Sequence, residues 1–328
     1  MIGHCTLSGG AGGRPGRMAL QAPVAAGRVC VGLTPAEAMA RVSGLFSLCG
    51  AAHGVAAAGA MGLPAGGAAA EAAMRGEILR DHAIALLLDW PGRLGLPPAR
   101  ALLSRLIARQ EGDTTALYRD LTGTDAEIGT LDPAGLRDWL DLGRDAAAPI
   151  LPCVLSRLRD VAPADWGRAD LMPLAAADIG AALCGPSDAA RDAGILPDHL
   201  DRPVLRALVA RDGVSLFARM LARVLDLLTC LRTPGGDLFA RSRRLAASCA
   251  PCVGIARAAR GILAHQAVVR DGRVVAYRIL SPTVWHAAPG GLMERIAAAL
   301  PVDRRRPVLT CMMLSAVNPC IPVTVAED

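Results

Sequence analysis

Between residues 68 and 235 the chain reads as one helical run after another, each stopped by a cluster of Pro, Gly or Asp. Spans 69–90, 97–110, 133–142, 147–160 and 213–232 carry the pattern, with Asp132 and Asp212 placed as N-caps. No repeat of fixed period runs through them. Such a middle commits the chain to a mainly helical fold. Composition agrees, because the hydrophobic 52% is mostly Ala and Leu while aromatics reach only 3%, and Ala and Leu lead the helix propensity scale.

The ends differ from the middle. Residues 1–30 are Gly-rich and unpatterned and are expected to form a flexible lead-in, so that one α+β domain, mainly α, occupies 31–328. Thr34, Pro35 and Glu37 spell a capping box with Pro at the first helical position. The helix they start is expected to continue through His53, which places Cys49 and His53 on one face. After Cys252 two β-prone runs flank Asp271-Gly272, the strongest hairpin signal in the chain.

A formal charge of +5, with arginines scattered among acids, argues against nucleic acid as a partner. The apolar stretch 51–73 is interrupted by Pro64 and several glycines, so no membrane span is expected. The N-terminus lacks the apolar core of a secretory signal, and a cytoplasmic location is expected. Ten cysteines at irregular spacing do not form the framework of a small secreted domain, so reduced thiols are expected.

Three places carry chemistry-bearing residues, each with a plain alternative. Cys49-x-x-x-His53 supplies two soft ligands, or a core cysteine and a satisfied histidine, since a structural zinc site needs four ligands. Cys249-Ala-Pro-Cys252 is a redox pair or half a metal site, or two packed thiols, because no thioredoxin-like strand and helix flank it. Arg260 opens the hairpin and Pro282-Thr283-Val284-Trp285 closes it, so a guanidinium can be held at a fixed point; alternatively Arg260 lies on the surface and Trp285 anchors the core.

Together these motifs resemble nickel-iron hydrogenase large subunits. Residues 260–289, "RGILAHQAVVRDGRVVAYRILSPTVWHAAP", are similar to the segment in which Arg-Gly, a Leu-x-His strand, an acid-Gly turn, a Tyr strand and Pro-Thr-x-Trp-Asn follow in order. "SAVNPC", ending at Cys320, is similar to that family's Ser-Phe-Asp-Pro-Cys, and Cys49 with His53 to the second cysteine and histidine of its Cys-x-x-Cys-x-x-x-His. In that family two cysteine pairs hold nickel and bridge to an iron carrying cyanide and carbon monoxide. Here Phe46 and Val323 stand where one cysteine of each pair belongs, Ala326 where the final histidine belongs, Asn318 for Asp, His286 for Asn, and Arg257 for Glu.

What the resemblance implies follows from those departures. A large-subunit-like helical core is expected, with no tetrathiolate nickel site and no hydrogen turnover. Cys49 and Cys320 would be the metal ligands, with Arg260 and His53 binding a transient Fe(CN)2(CO) unit; Cys249, Cys252, Trp285 and Pro319 stay structural or unassigned. The pattern resembles the HupK/HoxV proteins, which implies a non-catalytic maturation factor for nickel-iron hydrogenase. Its implied partners are maturation proteins of the HypC and HypD type and the hydrogenase large subunit. A metal-free module that mimics the large subunit to engage those proteins is one alternative, and a divergent active hydrogenase large subunit is the other.

Overall fold

The computed structural model describes residues 4–8, 17–21, 26–64, 66–109, 113–145, 147–185, 190–232 and 237–326. Helices dominate, with two small three-stranded sheets. In the first, β1 (His4–Ser8) pairs antiparallel with β2 (Arg17–Gln21) and parallel with β6 (Val323–Ala326). The expectation of a flexible lead-in therefore fails for β1, β2 and the 3-10 turn at Ala26–Cys30. Cys5 and Leu7 alternate inward along β1, a period-2 pattern too short to register without its distant partner strand.

The second sheet contains the expected hairpin. β4 (Gly261–Arg270) and β5 (Arg273–Leu280) pair so that Arg270 faces Arg273 across a two-residue loop. Asp271 and Gly272 both take positive φ there, as a type I′ turn requires. A third strand, β3 (Val253–Ala258), joins on the other side and is buried along its whole length. Only Ala259 and Arg260 link β3 to β4, so Arg260 sits at the tip of a tight buried turn. Gly261 has φ +125, and a Cβ there would lie 2.0 Å from the Ala193 carbonyl, which accepts the Ile262 N–H.

The helix expected to run through His53 is two helices. The capping box forms as expected, with Thr34 and Glu37 bonded reciprocally. However, α1 (Pro35–Leu45) ends at Phe46, and α2 (Gly50–Ala60) restarts after Cys49, which leaves helical geometry at φ −151. Two glycines let α2 lie close against β3: a Cβ on Gly254 would meet the Ala56 carbonyl oxygen at 1.9 Å, and one on Gly59 would meet Gly254 at 3.1 Å. That approach seats the second half of α2 on the sheet.

In the middle, α3 (Ala68–Ile84) continues through a π turn at Ala85–Asp89 into Trp90–Arg93, and Pro133–Leu142 forms with Asp132 as its cap. Asp212 caps nothing, because the helix Leu216–Arg232 starts later and Ser215 accepts the Ala218 N–H. Helices at Thr114–Thr122, Ala176–Cys184, Pro203–Asp212 and Ala240–Ser248 were not expected from the pattern. Leu216–Arg232 is the axis of the main core, buried at every residue except Thr229 and Arg232. Its Arg219, Arg223 and Asp226 share one face at i, i+4 and i+7, and that face meets α3 and the helix Arg306–Val317 rather than water.

Candidate functional site

Cys49 occupies the N-cap of α2, 8% exposed, and its carbonyl accepts the His53 N–H. Burial is the main cause pushing its thiol up to about 11; the Arg260 charge opposes this, and charge at Cys320 and Asp81 adds to it. Cys49, Cys320, Arg260 and Asp81 are thus within electrostatic reach of one another, although they come from four separate parts of the chain. Cys320 lies after the last helix, where Asn318 turns the backbone left-handed at φ 55. Thr283 fixes it twice, taking the Cys320 N–H at 3.0 Å and donating to its Sγ at 3.1 Å. Pro319 and Pro322 hold the segment between that turn and β6.

Asp81 is the ionic partner of Arg260. It accepts from Arg223 at 2.7 Å and from Asn318 at 2.8 Å, and forms an ion pair with Arg260 at 3.2 Å. Burial alone would raise its carboxyl, but Arg223 and Arg260 hold it below the ordinary value. Asp81 satisfies only one corner of Arg260: its Nε and Nη1 are buried without a partner among the described residues. A buried guanidinium with two open N–H groups is a strong donor waiting for an acceptor.

His53 is 3% exposed, and burial, reinforced by Arg260, lowers its imidazole to about 3, so it is neutral. Its Nδ1 lies 3.0 Å from His265 Nε2, and His265 Nδ1 lies 2.7 Å from the Tyr277 hydroxyl. Tyr277 has no other side-chain acceptor among the described residues and donates to His265. The network then assigns the protons: His265 donates through Nε2 to His53, leaving His53 with its N–H on Nε2. Phe46, in the place of a cysteine, stacks on the His53 ring with centroids 3.7 Å apart and planes 7° off parallel.

The other candidates take structural places. Trp285 is buried in a second apolar cluster with Leu174, Ile179 and Ile255, and Cys249 and Cys252 pack half-buried against the same cluster, while Cys49 belongs to the main core. Residues that were not named as candidates complete the site: Asp81, Arg223, His265 and Tyr277 directly, and Asp226 behind them. Arg257, where the hydrogenase motif has an acid, pairs with Asp226 and with Asp198 at 3.1 Å. All ten cysteines are free. Among the described residues no group of three or more His, Cys, Asp and Glu is arranged to hold a metal ion.

One chemical consequence is checkable at once. With its thiol near 11, Cys49 is thiolate only to about one part in ten thousand at pH 7, and it is also enclosed. Iodoacetamide followed by peptide mass spectrometry is expected to label the exposed Cys320 at least about a hundred-fold faster than Cys49. Comparable rates would show that Cys49 is neither enclosed nor protonated as described.

No family model matches the chain. It is similar along most of its length to the hydrogenase expression/formation protein HupK of Rhodobacter capsulatus, 32% identical over 305 residues that span 93% of this chain and 90% of the relative. HupK of Azotobacter vinelandii is 30% identical, spanning 90% and 88%; HoxV of Cupriavidus necator is 27% identical, spanning 86% and 85%. Among solved structures, the nickel-iron-selenium hydrogenase of D. vulgaris Hildenborough superposes over 96% of both chains, with TM-score 0.59 at 13% identity. The NAD+-reducing nickel-iron hydrogenase covers 94% of this chain and 92% of its own, with TM-score 0.55 at 16% identity. At those identities the likeness speaks for the fold, which is that of the hydrogenase large subunit. The fold and the relatives agree: this chain belongs to the HupK family of hydrogenase expression/formation proteins, related to the nickel-iron hydrogenase large subunit.

Proposed function

We propose that the chain is a non-catalytic carrier for an Fe(CN)2(CO) unit, held between Cys49 and Cys320 beneath Arg260 before delivery to the hydrogenase large subunit. The observation that carries this reading is Arg260: two unpartnered, buried N–H groups on a rigid turn next to a two-cysteine pair. A bare divalent metal needs more protein ligands than the pair supplies. An iron that brings three diatomic ligands needs fewer, and a cyanide nitrogen is an acceptor suited to a guanidinium fork. The neutral His53, with its N–H directed by His265 and Tyr277, adds no charge to the site.

The departures from the hydrogenase pattern support carriage over catalysis. Arg257 cannot accept a proton where an acid could, and Phe46 fills the space beside His53. Holding the iron by two thiolates leaves fewer bonds to break on release. Both thiols must lose their protons when iron binds, so loading favours alkaline over acidic pH. The partners in this reading are maturation proteins of the HypC and HypD type and the large subunit itself, in the cytoplasm; among the described residues no helix is long and apolar enough to cross a membrane.

Infrared spectra test the carrier. Protein purified anaerobically after co-expression with the maturation machinery is expected to show CO and CN stretches that vanish in Cys49→Ser and in Cys320→Ser. A spectrum without these bands from the unaltered protein sinks the reading. If in addition both cysteine variants still support hydrogenase maturation in cells, the metal-free mimic takes its place.

A further inference from the structure

A cavity lies under the Arg260 turn, with Arg219, Arg223, Arg260, His286 and Asn318 forming its polar wall and Leu292 among its apolar residues. Four polar atoms of this wall are buried without hydrogen-bond partners among the described residues: Arg219 Nε, Arg260 Nε and Nη1, and His286 Nε2. Arg219, Arg260 and His286 are 5%, 6% and 2% exposed, so water cannot satisfy those atoms from outside. His286 Nε2 comes no nearer than 3.9 Å to Asp192, beyond hydrogen-bond range. Unmade hydrogen bonds at buried donors are costly, and here several converge on one space.

The charges point the same way. Arg219, Arg223, Arg241, Arg257 and Arg260 are linked with Asp81, Asp192, Asp198 and Asp226 by ion pairs and by the hydrogen bonds of His82. Five guanidiniums meet four carboxylates, which leaves one buried positive charge in excess. An uncompensated buried charge is expensive unless something neutralises it.

We propose that this cavity binds a small monovalent anion of a few heavy atoms, with oxygen or nitrogen acceptors that take the free N–H groups of Arg219 and Arg260. His286, neutral, contributes Nε2 as a donor by choice of tautomer. The anion cancels the excess charge and braces Arg260 from the side away from the cysteines. Neither Arg219 nor His286 is among the charges that weigh most on Cys49, so the site stands whether or not iron is ever carried.

The test uses the full chain with both Cys49 and Cys320 replaced by Ser, which removes the iron pair, alongside the unaltered protein. Carbon-13-labelled sodium formate is titrated at constant ionic strength and followed by NMR line broadening and by thermal melting. Saturable one-to-one binding of equal strength in both proteins is expected, together with a raised melting temperature. Arg219→Lys keeps the charge but removes Nε–H and is expected to weaken binding at least about tenfold. Ala316→Leu, on the cavity wall, leaves every charged group in place and is expected to block binding by filling the space; it decides the matter should Arg219→Lys fold poorly. No saturation by about 100 mM formate in the unaltered protein overturns the proposal. So does binding unchanged in Ala316→Leu, or binding lost with the two cysteines, which would return the anion to the iron site.

Discussion

Between pH 6.5 and 4 the folded protein is expected to lose stability steeply. His53 and His286 are lowered by burial to about 3 and about 4, and burial also lowers His82 and, further, His265. The sign follows from which state takes the proton. Above the ordinary histidine value of 6.5 neither the folded nor the unfolded chain is protonated at these rings, and their contribution is complete. As pH falls below 6.5 the unfolded chain binds protons that the folded chain refuses, and stability drops until each folded value is reached. His53 and His286 each cost about 1.4 kcal/mol per pH unit, about 3 kcal/mol together, and His82 and His265 act in the same direction. Against a total stability of about 5–15 kcal/mol, such a loss over two pH units is a large share of the whole. Urea midpoints by circular dichroism at pH 7, 6 and 5 measure this; a flat profile would mean that the histidines protonate in place.

Asp226→Asn is expected to be the most damaging single isosteric change in the core. Asp226 is fully buried and accepts from His82 and His199 at 2.7 Å each, and from Arg257. Burial would raise its carboxyl, but Arg257 and the two histidines hold it well below the ordinary value. Neutralising it leaves Arg257 with Asp198 alone in a water-free interior. Breaking a buried pair from one side costs about 3–5 kcal/mol, a large share of the whole. Asp125→Asn is the control: Asp125 pairs with Arg119 in open solvent, and its loss is expected to leave the urea midpoint in place. If both variants melt alike, the buried network is not what holds the central helix to α3 and β3.

The same helix shows where reading the chain alone stops. In Leu216–Arg232 the stripe Arg219, Arg223, Asp226 has the spacing of an ordinary solvated face. Nothing local separates a charged face that meets water from one that meets Asp81, Asp192 and His82 on other elements. A distinguishing signal was present only as arithmetic across the chain, since a helix of this length whose other residues are nearly all apolar has little reason to face water. Likewise the helix through Cys49 reads as continuous because no proline falls in Leu45–Gly50 and isolated glycines are tolerated within helices; the break goes with the stacking of Phe46 on His53 and the close approach of α2 to Gly254. His265 was visible within its strand motif, yet its role rests on Tyr277 across the sheet and on His53 from another helix.

Local rules sufficed for the capping box at Thr34, the Asp132 cap, the Asp271-Gly272 hairpin and the mainly helical character, because each depends on residues within a few positions of one another. Ordered motifs near both ends were enough to identify the hydrogenase-like family, since their order along the chain survives even where half the cysteines do not. Tertiary structure alone decided that residues 4–8 pair with the C-terminal strand, that Asp81 anchors Arg260, and that Arg219, Arg223 and Arg260 line one cavity while joined to buried carboxylates. Those are contacts between distant segments, and their energies depend on burial and charge balance, which exist only once the chain has closed on itself.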